Sequence, residues 1–369
     1  MTPPGLRPAW AEVDLGAIRH NASEVGRVTA AQRVCAVVKA DGYGHGAVPV
    51  AKAAIEGGAT WLAVALVEEA AALRGAGIDG PMLVLSEPPP DAMGVAAGLD
   101  LRVTVYTARG IEAAAAAGDL LVHLKVDTGM HRVGAQPAEV SALAERIARA
   151  PGLQLEAVWT HLAVADEPDR PQETARQLER FDEAVAALRK AGLDWSFEHV
   201  SNSAGALMVG ATYGMVRAGI ALYGYHPNPD APSSADLRPA MSLKAHVSHV
   251  KRLDAGEAMS YGLRYRLASP ATIATVPLGY ADGVPRRLGA VGGEFLVAGE
   301  PRPIAGTVTM DQTLVDCGDL DVSAGDEVVL IGRQGAAQVT ADDWARRLDT
   351  ISYEILCGIG PRVPRVHAG

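Results

Sequence analysis

Cysteine is scarce in this chain: Cys35, Cys317 and Cys357 are the only three in 369 residues. They are too few and too scattered for a disulfide framework or a zinc site, which points to a reducing compartment. Excess basic charge is missing too. Against 43 acidic residues stand 33 lysines and arginines, a net charge of −10, and no basic block or aromatic-interleaved patch offsets it. A nucleic-acid partner, which needs a basic surface, is excluded. No run of about 18 apolar residues occurs, and the first ten residues lack an apolar core of leader length. The expectation is a soluble cytoplasmic protein with no membrane partner. No internal repeat or low-complexity tract is evident. What is there is an ordinary globular composition, 49% apolar and 21% charged, on a chain comfortable for two domains.

The most informative stretch is Val34-Cys35-Ala36-Val37-Val38-Lys39-Ala40-Asp41-Gly42-Tyr43-Gly44-His45-Gly46. An apolar, β-branched run stopped by glycines reads as a buried parallel strand. Lysine at its C-terminal end sits where α/β folds present reactive groups, and an apolar pocket would leave a nucleophilic amine able to form a Schiff base. A lysine snorkelling from a strand end is the plainer alternative.

Further short apolar runs follow at 61–65, 82–85, 101–105, 120–126, 155–160, 197–200 and around Met215-Val216, with alanine-rich helical stretches at 68–76, 108–117, 137–149 and 173–191. Eight strand candidates separated by helices predict an N-terminal (β/α)8, TIM-like barrel. A doubly wound open sheet is the runner-up. It would need a phosphate fingerprint after its first strand, and Gly42, Gly44 and Gly46 are not spaced as one. Residues 227–239, with four prolines plus Asn228, Asp230, Ser233 and Ser234, read as a linker. Beyond it strand-like runs dominate, at 242–250, 271–277, 294–297 and 327–331, with a helix only at 341–348. The predicted organisation is α/β: a barrel over 1–235, then a mainly β domain over 236–369. A strand at 9–15 could pack with either.

The barrel would gather polar residues at its strand ends: Lys39, Lys125 and Asp127 with His131-Arg132, His161, Ser201-Asn202-Ser203, and Arg217 with Gly219-Ile220. Singly, Lys125 and Asp127 read equally as a surface pair, His161 as a core histidine and Arg217 as a structural ion-pair partner. Their shared position at strand C-termini weakens those readings together.

On these segments, and on others up to Arg362-Val363-Pro364-Arg365, the chain resembles bacterial alanine racemases, fold-type III pyridoxal 5′-phosphate enzymes. The resemblance implies that Lys39 forms the Schiff base to pyridoxal 5′-phosphate and that Tyr43, Asn202, Ser203, Gly219, Ile220 and Tyr353 surround its phosphate. It implies a carbamylated Lys125 that orients Arg132, itself at the cofactor's phenolic oxygen, and Arg217 facing the pyridine nitrogen. Guanidinium can only donate there, so the ring would be a weak electron sink, favouring racemisation over transamination.

Racemisation needs a base on each face of Cα. The resemblance implies Lys39 on one and Tyr261, from a second subunit, on the other, with His161 beside Arg217 tuning a phenol whose ordinary value is near 10. It further implies Tyr280 and Arg286 at the substrate entrance, Met310-Asp311 at the substrate carboxylate, and a two-fold homodimer with shared active sites. One motif departs. Where the family usually has Gly-Arg-x-Cys-Met-Asp-Gln, this chain has Gly306-Thr307-Val308-Thr309-Met310-Asp311-Gln312. Thr307 replaces an entrance arginine and Thr309 a cysteine, which bears on selectivity for alanine. The expected activity is interconversion of L- and D-alanine, supplying D-alanine for peptidoglycan or serving its catabolism. A broader, serine-type racemase is the near alternative. A decarboxylase lacks the tyrosine-based second half, and a barrel that merely carries pyridoxal phosphate lacks a β domain.

Overall fold

A computed structural model describes residues 6–211, 213–231 and 234–369. They form two compact units, one of residues 16–42 and 47–238, the other of the N-terminal residues to 15, residues 43–46 and residues 239–369.

In the first unit eight parallel strands follow one another: Val34–Val37, Trp61–Val64, Met82–Val84, Arg102–Val105, Leu120–Lys125, Leu153–Trp159, Phe197–His199 and Val216–Ala218, the last pairing back onto the first. The barrel is nearly closed. At its seam the Gly214 N–H donates to the Glu198 carbonyl at 2.9 Å and the Arg217 N–H to the Ser201 carbonyl at 3.0 Å. Most strand residues are buried on both faces, as parallel strands under a layer of helices must be. Those helices include Ala47–Glu56, Val67–Gly75, Pro90–Gly98, Ala108–Ala117, Val140–Arg149 and Pro171–Lys190. The helix expected over 137–149 starts as a separate 3₁₀ turn, Pro137–Glu139, because proline suits a first turn that needs no N–H.

The stretch read as a linker is tied down where it is described; Pro232 and Ser233 lie outside the described residues. Asn21 donates to the Leu222 and Arg238 carbonyls at 3.1 and 2.8 Å and accepts the Arg238 N–H. Glu24 accepts the Asp236 N–H at 2.9 Å.

In the second unit the sheet path runs Glu300–Pro303, Glu294–Val297, Glu327–Gln334, Met241–His246, Ala9–Asp14 and Arg365–Ala368. The strand Ala9–Asp14 thus lies between Met241–His246 and Arg365–Ala368. A three-stranded sheet of His249–Leu253, Ala271–Val276 and Thr313–Asp316 accompanies it. Two expectations need correction. The single run at 242–250 is two strands in different sheets. Val247 donates to the Asp326 carbonyl and the next residue, Ser248, to that of Thr275, both at 2.8 Å, so the chain changes partners there. And Ala341–Leu348 is followed by a second helix, Ser352–Cys357, whose six residues are too few to show a helical period.

Candidate active site

Lys39 follows a wholly buried strand, and the Val38 N–H still pairs with the Ala63 carbonyl at 2.8 Å. The chain then turns left-handed, with φ of 51° at Ala40, 51° at Asp41 and 61° at Gly42, and φ stays positive through Tyr43 and Gly44. Such a turn costs a non-glycine residue about 1–2 kcal/mol. Three bonds over-determine it: Ala40 N–H to Glu69 at 2.7 Å, Gly42 N–H to the Val38 carbonyl at 2.9 Å, and Ala47 N–H to Asp41 at 2.8 Å. A Cβ on Gly42 would also stand 3.3 Å from the Ala47 backbone. The amine is therefore displayed from a fixed base.

Around it sit cations taken out of water. Lys125 is 4% exposed and Arg217 3%. Both lie over the Trp159 ring, the Lys125 Nζ at 4.3 Å from its centre and the Arg217 Cζ at 4.8 Å. Burial, reinforced by the Arg217 and Arg132 charges and opposed by Asp127, pulls the Lys125 ammonium down to about 7. Burial likewise lowers Arg217 to about 10. The Arg217 donors go to neutral acceptors: Nη1 to His199 Nδ1 at 2.9 Å, and Nη2 to the Thr160 and Val200 carbonyls at 3.0 Å and towards His161 Nδ1 at 3.3 Å. Burial, then Arg217, holds His161 well below the ordinary histidine range, so its imidazole is neutral.

Arg132 is exposed on a loop pinched shut by Asp127 N–H to the Ala135 carbonyl and Ala135 N–H to the Lys125 carbonyl, both 2.9 Å. Asp127 Oδ1 accepts the Gly129 and His131 N–H groups at 3.0 Å, shaping the turn that carries Arg132. On the far strands the Ser203 hydroxyl accepts the Gly219 N–H at 2.9 Å and the Ala221 N–H at 3.4 Å, while buried Ile220 opens a 3₁₀ turn. Asn202 donates to the Leu162 carbonyl at 3.2 Å and stands 3.5 Å from His161 Nε2. One rim thus gathers Lys39, Lys125, Arg132, His161, Asn202, Ser203, Arg217, Gly219 and Ile220.

The remaining candidates belong to the second unit. Buried Tyr43 packs against Tyr353, ring centres 6.1 Å apart, and burial raises its hydroxyl above the ordinary range. Tyr261 is 72% exposed on the link between the short strands Ala258–Met259 and Tyr265–Arg266. Thr307 donates from its hydroxyl to the Tyr261 carbonyl at 3.0 Å, and its own carbonyl accepts from Ser260 at 2.6 Å. The motifs at 279–283 and 309–312 are also paired: Tyr280 N–H meets the Thr309 carbonyl at 2.9 Å and Ala281 N–H that of Met310 at 3.0 Å. Only glycine fits at 279, since a Cβ there would collide with both carbonyls. Met310 is half-exposed and Arg286 exposed.

Sequence reasoning missed the residues that hold these groups. Fully buried Asp282 accepts the Gly279 N–H at 3.0 Å and pairs with Arg7 and Arg362, which reaches Asp311 at 2.7 Å. Trp159 and His199 frame Arg217, and alternation offered a clue to a neighbour: His123 and Lys125, two apart on one strand, share a face.

The chain resembles proteins of known activity along its whole length. The family description "Alanine racemase, N-terminal domain" matches residues 13–227, and "Alanine racemase, C-terminal domain" matches residues 240–367. An alanine racemase of Symbiobacterium thermophilum is 50% identical over 372 residues, covering 99% of this chain and 98% of its own. The crystal structure of alanine racemase from Bacillus anthracis with bound L-Ala-P has a TM-score of 0.93 at 40% identity, covering 99% of this chain and 96% of that one. A histidine racemase from Leuconostoc mesenteroides is more distant in sequence, 30% identical, yet matches with a TM-score of 0.91 over 100% of both chains.

Proposed function

Because the chain belongs to the alanine racemase family and is an amino-acid racemase, we propose that it interconverts L- and D-alanine with pyridoxal 5′-phosphate bound at the barrel rim. The observation that carries this reading is the cationic rim itself. Lys39, Lys125, Arg132 and Arg217 act electrostatically on one another's surroundings, with Asp127 opposing them at Lys125. Among the described residues the buried Lys125 and Arg217 are opposed chiefly by Asp127 at Lys125, and a buried site left with excess positive charge favours an anionic ligand. A phosphorylated aldehyde fits that demand, and the turn opened by Gly219 and Ile220 beside Ser203 is suited to its phosphate.

When bound, this cofactor supplies an aldehyde that condenses with primary amines and a ring that withdraws electrons from Cα. In this reading Lys39 holds the cofactor and moves the proton on one face of Cα. Tyr261 of a second copy moves it on the other, so the working unit is a homodimer. Arg217 stays protonated and can only donate to the ring nitrogen, which keeps that nitrogen unprotonated and limits side reactions. Neutral His161 sits beside Arg217 to adjust the tyrosine. Lys125, with a value near neutrality, is free to add carbon dioxide with loss of one proton, and the resulting carbamate answers the Arg132 and Arg217 charges. Asn202, Tyr43 and Tyr353 complete the cofactor contacts, Tyr280 and Arg286 the substrate entrance, and Met310 the substrate site. The scarcity of cysteine, three in 369 residues, supports a cytoplasmic setting, where D-alanine would feed peptidoglycan.

The test is turnover of L-alanine by cofactor-loaded protein, resolved by chiral chromatography, with L-serine and L-histidine in parallel. Rapid appearance of D-alanine with slower D-serine is expected. A comparable D-serine rate would favour the broader racemase, which Thr307 and Thr309 make the second reading. Bound cofactor without any D-alanine would overturn the proposal.

A further inference from the structure

A line of side chains inside the barrel has no part in the chemistry above. His199 Nδ1 lies 2.9 Å from Arg217 Nη1, His199 Nε2 lies 3.0 Å from His123 Nδ1, and His123 Nε2 lies 2.9 Å from Glu156 Oε2. Guanidinium can only donate and an ionised carboxylate can only accept, so both ends impose one direction. Arg217 donates to a bare His199 Nδ1. The His199 Nε2–H donates to a bare His123 Nδ1, and the His123 Nε2–H donates to Glu156. Each imidazole is then a neutral Nε2–H tautomer. Burial agrees, since it leads the causes that lower both histidines. Neither ring is exposed: Trp61 and Phe197 flank His123 at 5.6 and 5.7 Å, and Trp159 stacks on His199 at 5.2 Å.

Glu156 reaches this line through an irregularity in the sheet. Val122 pairs with Leu155, but His123 pairs with Ala157, so Glu156 is an extra residue in its strand. Strict alternation would turn Glu156 to the face opposite Trp159. A bulge reverses the phase and re-aims the side chain, a use of bulges common beside functional sites. Arg102 Nε lies 3.6 Å from the same carboxylate, whose side chain is only 14% exposed.

We propose that Glu156 and His123 are positioning residues for Arg217, forming with His199 a hydrogen-bonded line of fixed polarity that holds the guanidinium in orientation. This rests on the reading of Arg217 as the residue facing the cofactor ring. A carboxylate bonded directly to Arg217 would cancel much of its charge. Set two imidazoles away, it offsets the buried charge only in part while still dictating which way every donor points.

The first test needs no cofactor. In apo protein labelled with ¹⁵N-histidine, the rings of His123 and His199 should each show a protonated Nε2 and a bare Nδ1. A proton on Nδ1 of either ring overturns the proposal. The second compares Glu156→Leu, which cannot accept, with Glu156→Gln, which can. In the holoenzyme, Glu156→Leu should lower kcat about tenfold with KM little changed. It should also raise the share of turnovers lost to half-transamination, read as fading cofactor absorbance, and Glu156→Gln should restore most of both. A folded Glu156→Leu protein with wild-type kcat and partition overturns it, and if that variant does not fold, the wild-type tautomers decide. Failure of the wild type to racemise any amino acid would instead sink the function reading, leaving the tautomer result intact.

Discussion

Burial of the Lys125 amine beside Arg217 and Arg132 sets its value at about 7, against 10.5 in the unfolded chain. Between those values the unfolded chain binds more protons than the folded one. Stability therefore rises with pH across that window, by up to about 1.4 kcal/mol per unit, and the burial cost is fully present below pH 7. In carbonate-free buffer the denaturation midpoint of the apo protein should climb from pH 7 to 9 relative to Lys125→Met. Parallel pH dependences would show that the amine is not buried in free form. With ¹³C-bicarbonate added, a carbamate resonance should appear in the wild type and be missing from Lys125→Met. At this scale much of the rim was legible. Lysine, histidine and arginine at the ends of apolar runs have few structural reasons to be there. The Glu156 line was not, because its carboxylate enters through a one-residue bulge that no periodicity announces.

Among the elements, the turn after Lys39 matters most for display of the amine. Glu69, on the helix Val67–Gly75, accepts from the Ala40, Ala65 and Leu66 N–H groups at 2.7, 2.8 and 3.1 Å, so one carboxylate ties that helix to the strand end. Hydrogen bonds to a charged group contribute about 1.5–3 kcal/mol, and loss of this acceptor leaves three donors to find water. Glu69→Ala should cost about 2 kcal/mol in urea unfolding and weaken pyridoxal phosphate binding in an absorbance titration. Gly42→Ala should do both for a different reason, a methyl crowded at 3.3 Å against the Ala47 backbone and left-handed strain. Unchanged cofactor affinity in both variants would show that the turn does not set the lysine's position. The barrel strands were readable because a strand buried on both faces is apolar throughout. The run at 242–250 misled because partner exchange at Val247 and Ser248 leaves no mark in hydrophobicity, only in which backbone groups pair. Ser352–Cys357 escaped because one and a half turns hold no period, although it carries Tyr353.

At the scale of the molecule, the candidate groups divide between the two units, with Lys39 in the barrel and Tyr261 exposed in the β unit. An exposed tyrosine on a loop shaped by Ser260, Gly306 and Thr307 is poorly placed for a private role, because water competes for a lone phenol. The proposed dimer gives it one, as the base of the other copy's site. That arrangement makes a prediction no single-chain site shares. Lys39→Ala and Tyr261→Phe should each lose nearly all racemisation as pure homodimers. After unfolding and refolding as an equal mixture, half of the dimers carry one copy of each variant. In such a dimer one site has lost both bases while the other combines an intact Lys39 with an intact Tyr261. The mixture should recover about a quarter of wild-type activity, reading one working site in every four. Recovery should depend on co-refolding and not on simple mixing if the dimer exchanges slowly. No recovery from a mixture shown by mass spectrometry to contain the mixed dimer would mean that both bases come from one chain, and that Tyr261 does not serve across the two-fold axis.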